Sequence, residues 1–228
     1  FQSSMISGYP CILVNFYGKP ASYAYNNVKA KLQEYLGLPV RADAPLIGIV
    51  SRLVGHKGFD LVKCVFEDML KADLQVAILG SGDWEFETFF YEMAQKYPQK
   101  VGLKLGFKPQ LAHRIYAGAD IFLMPSQSEP CGLAQMVALR YGTIPIVRET
   151  GGLKDTVEPY NMFTHEGNGF TFDNYEAGLL YDAINRAKTV FFTDRWHWDE
   201  MVQRNMAKDV SWEASAWRYR DLYLELRP

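Results

Sequence analysis

From Pro45 onward, short apolar runs alternate with longer stretches of helical periodicity, and this rhythm limits the fold more than any other feature of the chain. Residues 46–50 are apolar without alternation, as a strand buried on both faces should be. Further strands are expected over 74–79, 101–105, 120–124 and 143–147, with a short sixth over 169–172. Between them lie helical stretches at 59–71, 84–97, 110–117 and 133–141. The first places Phe59, Val62, Val65, Phe66, Met69 and Leu70 on one stripe. Strand and helix alternating at this spacing give a parallel sheet covered by helices on both faces and joined by right-handed crossovers. The expected fold is therefore α/β, a doubly wound, Rossmann-like parallel sheet over residues 45–173.

The flanking segments are read more simply. Val28, Leu32, Tyr35 and Leu36 give 26–36 the period of a short helix, which Gly37 stops. Residues 38–44 read as a linker and 6–25 as a loosely packed lead-in. Residues 1–5, Phe1-Gln2-Ser3-Ser4-Met5, look like what protease cleavage leaves of an expression tag, so the natural chain is expected to begin elsewhere. After the sheet, 174–228 are expected to form helices packing on it, over 175–192, 196–207 and 211–226. Ser211 suits the last N-cap, with Glu213 in the first turn. Its stripe of Trp212, Ala216, Tyr219, Leu222 and Tyr223 reads as core or interface packing.

Totals exclude several functions. A net charge of -2 offers no field for nucleic acid or a membrane surface. No apolar run approaches the ~20 residues of a membrane span, and no signal peptide is visible. Cys11, Cys64 and Cys131 are odd in number and lack metal spacing, so they read as reduced thiols of a cytoplasmic-type compartment. His56, His113, His165 and His197 form no ligand pattern, so neither metal nor cofactor is expected.

In an open parallel sheet, ligands bind at the carboxyl ends of the strands. The loop 126–135, Ser-Gln-Ser-Glu-Pro-Cys-Gly-Leu-Ala-Gln, falls there, between a strand and a helix start. Free N–H groups of residues 132–135 would make an anion site with the helix dipole, and Gly132 would permit close approach. Glu129 is the one carboxylate beside it; a helix-capping role is the equally ordinary alternative. Arg52 and Lys57 lie on the loop after the first strand, a guanidinium fork and a point charge suited to phosphate. Gly80-Ser81-Gly82-Asp83 reads first as a turn. Phe107 fits either a base-stacking ring or core packing. Thr150, Gly151 and Gly152 offer unhindered backbone N–H groups on another rim loop. Neither a G-x-G-x-x-G nor a Walker A pattern occurs.

Taken in order, Val50-Ser51-Arg52-Leu53…Lys57-Gly58, Leu79-Gly80-Ser81-Gly82-Asp83, residues 113–120, Pro125-Ser126…Glu129-Pro130-Cys131-Gly132-Leu133 and Arg148…Thr150-Gly151-Gly152 through Val157 resemble the bacterial glycogen synthase and plant starch synthase family, from about residue 26 to the C-terminus. The resemblance implies the C-terminal, nucleotide-binding half of a two-lobed GT-B transferase. The N-terminal lobe, with its K-x-G-G-L loop and acceptor contacts, is not in this sequence. It implies transfer of glucose from ADP-glucose to an α-1,4-glucan with retention and without metal, in the cytoplasm or, in a plant, the plastid. Arg52 and Lys57 match residues holding the diphosphate, and Glu129 matches an essential carboxylate near the sugar. Cys131, Gly132 and Leu133 match the helix start that binds glucose hydroxyls and phosphate, and Phe107 a ring that stacks on adenine. Ala134 stands where Thr or Asn is common, which removes a side-chain contact there but not the backbone N–H. Val137 stands where sucrose- and trehalose-phosphate-type enzymes carry a second Glu. A non-catalytic nucleotide- or glucan-binding module, or a GT-B enzyme with a different donor, are the alternatives. The chain by itself is expected not to extend glucan.

Overall fold

The computed structural model describes residues 21–226. The expected tag residues and most of the lead-in lie outside the described residues. In chain order the elements are α1 (Ala21–Leu36), β1 (Leu46–Leu53), α2 (Phe59–Leu70), β2 (Gln75–Gly82), α3 (Trp84–Lys96), β3 (Val101–Leu105), α4 (Pro109–Gly118), β4 (Ile121–Met124), α5 (Ala134–Tyr141), β5 (Ile144–Arg148), α6 (Gly151–Thr156), β6 (Phe170–Phe172), α7 (Ala177–Thr193), α8 (Arg195–Ala207) and α9 (Trp212–Glu225). The strands form one six-stranded sheet in the order β3-β2-β1-β4-β5-β6, and every pairing is parallel. The order reverses between β1 and β4, which is the topological switch point of a doubly wound sheet.

Side-chain parity explains why both faces are covered. Ile47, Ile49, Val76, Ile78, Ile121, Leu123, Ile144 and Ile146 join one cluster with the buried stripes of α2, α3, α7 and α8. Leu46, Ala77 and Leu79 point the other way, into a smaller cluster with Leu32 of α1 and Leu111 and Ile115 of α4. Each fully buried Leu, Ile or Phe contributes roughly 1.5–3 kcal/mol. Phe66 of α2 and Phe89 and Phe90 of α3 meet edge-on, with ring centroids 5.2–5.6 Å apart, fixing those two helices against each other.

Among the described residues, one ion pair is fully buried. Lys29 of α1 pairs with Asp120, at the entry to β4, at 2.8 Å, with the side chains 2% and 1% exposed. Lys29 Nζ also donates to the Ala44 carbonyl at 2.7 Å, and Leu46 N donates to Asp120 Oδ2 at 2.7 Å. The pair therefore ties α1, the linker and the starts of β1 and β4 together, and backbone groups hold it on both sides.

Several boundaries differ from the sequence reading. The first helix begins at Ala21 rather than 26. β1 and β2 run on to Leu53 and Gly82, so Arg52 and Gly80-Ser81-Gly82 lie in paired strands, with Arg52 opposite Ser81. The glycines mark close backbone approach, not a turn. A Cβ on Gly80 would sit 2.1 Å from the Ser51 carbonyl oxygen, and one on Gly82 2.2 Å from that of Leu53. Residues 151–156 form a short helix, where the sequence suggests only a rim loop at 150–152; two leading glycines hide its period. α9 does not pack on the sheet domain as expected, because none of its residues is buried. Trp212, Tyr219 and Tyr223 are 71%, 64% and 69% exposed. Helical spacing shows that an apolar face exists, not what covers it. Among the described residues, no helix is long and apolar enough to cross a membrane.

Candidate functional site

The two loops that flank the switch point are β1–α2 and β4–α5, and they meet. β1 ends in a single 3-10 turn, Gly55–Lys57, which aims Lys57 across the sheet. Its ammonium reaches Glu129 Oε2 at 2.5 Å, with the side chains 18% and 13% exposed. This is a charge-assisted hydrogen bond between residues 72 positions apart, partly shielded from water. The capping alternative for Glu129 fails, because the N-cap of α5 is Leu133 and no side chain caps that helix.

The loop carrying Glu129 is held by backbone. Gln127 N donates to the His56 carbonyl at 2.9 Å, and Gly152 N is shared between the Glu129 and Pro130 carbonyls, each at 3.2 Å. Arg148, at the end of β5, donates from Nε to the Ser126 carbonyl at 3.2 Å and from its terminal nitrogens to the carbonyls of Asp173 and Gln127. Gln135, fully buried in the first turn of α5, donates to the Gly132 carbonyl at 2.8 Å and to Thr156 Oγ1 at 3.0 Å. Gly132 has φ +71, a left-handed value that a side chain would strain, and the Gln135 amide fills the space where its Cβ would stand. Arg148, Gln135 and Thr156 are positioning residues whose side chains sequence reasoning missed. Arg148 and Thr156 stand within the motif blocks and Gln135 closes the 126–135 loop, but only their contacts reveal what they hold.

Tyr175 braces the first loop from the far side. Its hydroxyl donates to Asp60 and reaches the Gly55 carbonyl at 3.5 Å, while the Arg148 guanidinium lies 5.8 Å from its ring centroid. Burial, then the Asp60 hydrogen bond, raise the Tyr175 hydroxyl well above its ordinary value, so it stays a donor throughout the neutral range.

The other sequence-selected residues are distributed around this rim. Arg52 is exposed near the end of β1, and no ion pair or side-chain hydrogen bond holds its guanidinium among the described residues. Cys131 and Leu133 are exposed, Ala134 is half-buried and Gly132 is buried. Thr150 is half-buried, Gly151 exposed and Gly152 buried, the last two opening α6 directly behind the Glu129 loop. Phe107 follows β3 and is 91% exposed, so core packing is not its role. β3 is the edge strand, two strands from β1, so Phe107 stands apart from the Lys57–Glu129 pair. The rim thus combines two cations, one shielded carboxylate and the N–H groups at the start of α5, whereas at the start of α6 the Thr150 and Gly152 N–H groups are already engaged by the carbonyls of Arg148, Glu129 and Pro130. That set suits a ligand bearing both anionic groups and hydroxyls.

The family model for Glycosyl transferases group 1 matches residues 37–189. The chain belongs to this family. Within it, this glycosyl transferase chain is 54% identical over 198 residues to glycogen synthase of Geobacillus thermodenitrificans, covering 87% of this chain and 41% of that protein. It is 48% identical over 213 residues to glycogen synthase of Clostridium acetobutylicum, covering 92% of this chain and 45% of that protein. The chain therefore spans less than half the length of the curated relatives it matches. Among solved structures, the catalytic domain of Starch Synthase IV from Arabidopsis thaliana bound to ADP and acarbose superposes with a TM-score of 0.84 at 34% identity, covering 98% of this chain and 47% of that one. Sucrose-phosphate synthase from Thermosynechococcus elongatus, at 24% identity and a TM-score of 0.59 over 88% of this chain and 50% of that one, shares the fold.

Proposed function

We propose that this chain is the donor-binding half of a retaining glucosyltransferase that takes glucose from ADP-glucose and adds it to an α-1,4-glucan, the activity of a glycogen or starch synthase. The observation that carries this reading is the Lys57–Glu129 pair bridging the two loops at the switch point. The glycogen synthase relatives, and the likeness to a starch synthase domain holding ADP and acarbose, support it. In this reading the diphosphate lies against Arg52 and Lys57, which stabilise the charge that builds on the leaving phosphate. Lys57 is then shared between phosphate and Glu129. The amides at the start of α5, from Cys131 to Ala134, receive phosphate and glucose hydroxyls, Thr150, Gly151 and Gly152 line the same rim with the Gly151 N–H turned to the ligand, and Glu129 acts beside the sugar. Phe107 stacks on adenine at the outer edge. The transfer step needs no metal. The acceptor glucan is held by a second lobe. The compartment is the cytoplasm, or the plastid in a plant, in keeping with free thiols at Cys64 and Cys131.

Titration calorimetry with ADP tests this. Arg52→Ala and Lys57→Ala should each weaken binding by ~1.5–3 kcal/mol, the range of a charged hydrogen bond. No loss in either variant removes the two cations from the site. In the two-lobed enzyme, Glu129→Gln should cut turnover far more than donor affinity; unchanged turnover ends its catalytic role. The 228-residue chain alone should not extend glucan, and measurable extension would contradict the division of labour between lobes.

A further inference from the structure

On the face of the sheet covered by α1 and α4 there is an open cavity of about 480 Å³. It is lined by Tyr35 of α1 and by Lys108, Pro109, Gln110, Leu111 and Arg114 around the start of α4. Lys104 of β3 points to the same side, because it shares its parity with Gly102, where a Cβ would meet Leu36 of α1. Lys104 Nζ lies 6.0 Å from the Tyr35 ring centroid, and Arg114 Cζ lies 5.3 Å from it. Three cations thus gather round one aromatic ring. β3 is the edge strand, two strands from β1, so the cavity is separate from the Lys57–Glu129 pair.

Surface packing accounts for only part of this. A cation–π contact explains why Arg114 and Lys104 rest on the Tyr35 ring. It does not explain why no carboxylate answers them. Elsewhere on the surface, Arg41, Lys63, Lys96, Arg186 and Arg195 each pair with an Asp or Glu. Among the described residues, Lys104, Lys108 and Arg114 form neither an ion pair nor a side-chain hydrogen bond. Glu34, beside Tyr35 on α1, is exposed and pairs with none of them. In a chain of net charge -2, composition alone does not produce such a cluster. We propose that this cavity is a binding site for a small organic phosphate. Its volume falls within the roughly 300–1,000 Å³ of small-molecule pockets and exceeds what a lone ion fills. A phosphate monoester carries a charge of about −1.5 to −2, which suits three cations. Arg114 supplies a bidentate fork, and Lys104 and Lys108 supply point charges. Tyr35, half-exposed, gives the organic part an aromatic surface.

The cavity borders a connection that carries an exposed ring. Lys108, the N-cap of α4, makes no side-chain capping bond, so turning it onto a phosphate sacrifices no existing contact. It directly follows Phe107, and Gly106 before that has φ +101. An occupant that draws in Lys108 therefore reaches the segment that presents Phe107. Binding at the cavity stands whether or not ADP-glucose is the donor at the other rim, and it is measured without donor.

The test is an NMR titration of the isotope-labelled 228-residue chain with phenyl phosphate, read at the backbone amides of Gln110, Leu111 and Arg114. Saturable shifts are expected there. Lys108→Gln combined with Arg114→Gln should raise the dissociation constant at these amides by about 10-fold or more, the effect of losing charged hydrogen bonds. The amides of Gly132 and Leu133, on the Glu129 rim, should respond as in the parent. Lys108 and Arg114 are both exposed, so the melting temperature should hold. Lys104→Met is the second variant, should the first fold poorly. Inorganic phosphate should bind more weakly because it leaves most of the cavity empty, and so should citrate at the same ionic strength. No saturable shift at the three amides, a dissociation constant unchanged in both variants, or inorganic phosphate or citrate binding as tightly as phenyl phosphate would each overturn the proposal.

Discussion

Replacing Gly152 by alanine should disable the site through backbone alone. A Cβ at 152 would stand 1.9 Å from the Cys131 carbonyl oxygen, 2.5 Å from its carbon and 2.7 Å from its Cα. All three are main-chain atoms, so no rotamer change relieves the overlap. Carbon contacts begin near 3.5 Å, so the Glu129 loop and the start of α6 must part by about 1.5 Å. That movement stretches the Gly152 N bonds to the Glu129 and Pro130 carbonyls, which together contribute about 1 kcal/mol. Overpacking adds ~1–3 kcal/mol. A loss of roughly 3 kcal/mol in stability is therefore expected. Since Glu129 rides on the displaced loop, transfer in the two-lobed enzyme should fall by ~10²-fold, the usual effect of a 1 Å misplacement. Urea unfolding gives the first number, and ADP-glucose turnover the second. Gly178→Ala is the control, because a Cβ there meets nothing within 4 Å. A Gly152→Ala protein within ~0.5 kcal/mol of the parent, the range of a neutral surface change, with unchanged turnover would refute the view that close backbone packing holds Glu129 in place.

Three further outcomes follow from the same geometry. Lys29→Met strands Asp120 in a dry interior and should lower stability by ~3–5 kcal/mol in urea unfolding; a loss below ~1 kcal/mol, the worth of an exposed pair, would show that water reaches the pair. Arg148→Ala leaves the Ser126, Gln127 and Asp173 carbonyls without their partner and should weaken ADP binding in calorimetry, with Arg148→Lys recovering only part because an ammonium cannot span all three. The Arg41 hydrogen bond, followed by a backbone bond, holds Asp43 at about 2, below the ordinary 3.8. A depressed carboxyl stabilises the fold above its unfolded value and loses that contribution as pH falls toward its folded one. Arg41→Ala should therefore lower the melting temperature above about pH 4 and make its fall between about pH 4 and 2 shallower, so that the two profiles converge at the acid end, and identical profiles in both proteins would count against the pairing.

Strand and helix order were legible because buried parallel strands announce themselves as unbroken apolar runs and the helices as stripes. What escaped had physical causes. Gly80 and Gly82 look like turn residues, yet they serve tight strand pairing, and sequence does not separate those two uses of a missing Cβ. α6 opens on two glycines and spans little more than one turn, too short to show a period. The α9 stripe revealed an apolar face without revealing that none of its residues is buried. At the site, Lys57 and Glu129 could be named from motif blocks, but their contact arises only from strand order, which sets β1 beside β4.

The most direct test of the central claim is a crystal structure of this chain with ADP-glucose bound. The account predicts the diphosphate between Arg52 and Lys57, with the glucose against the start of α5 and within hydrogen-bonding reach of Glu129. Donor density on another rim, or at this rim with both cations turned away from the phosphates, would contradict it.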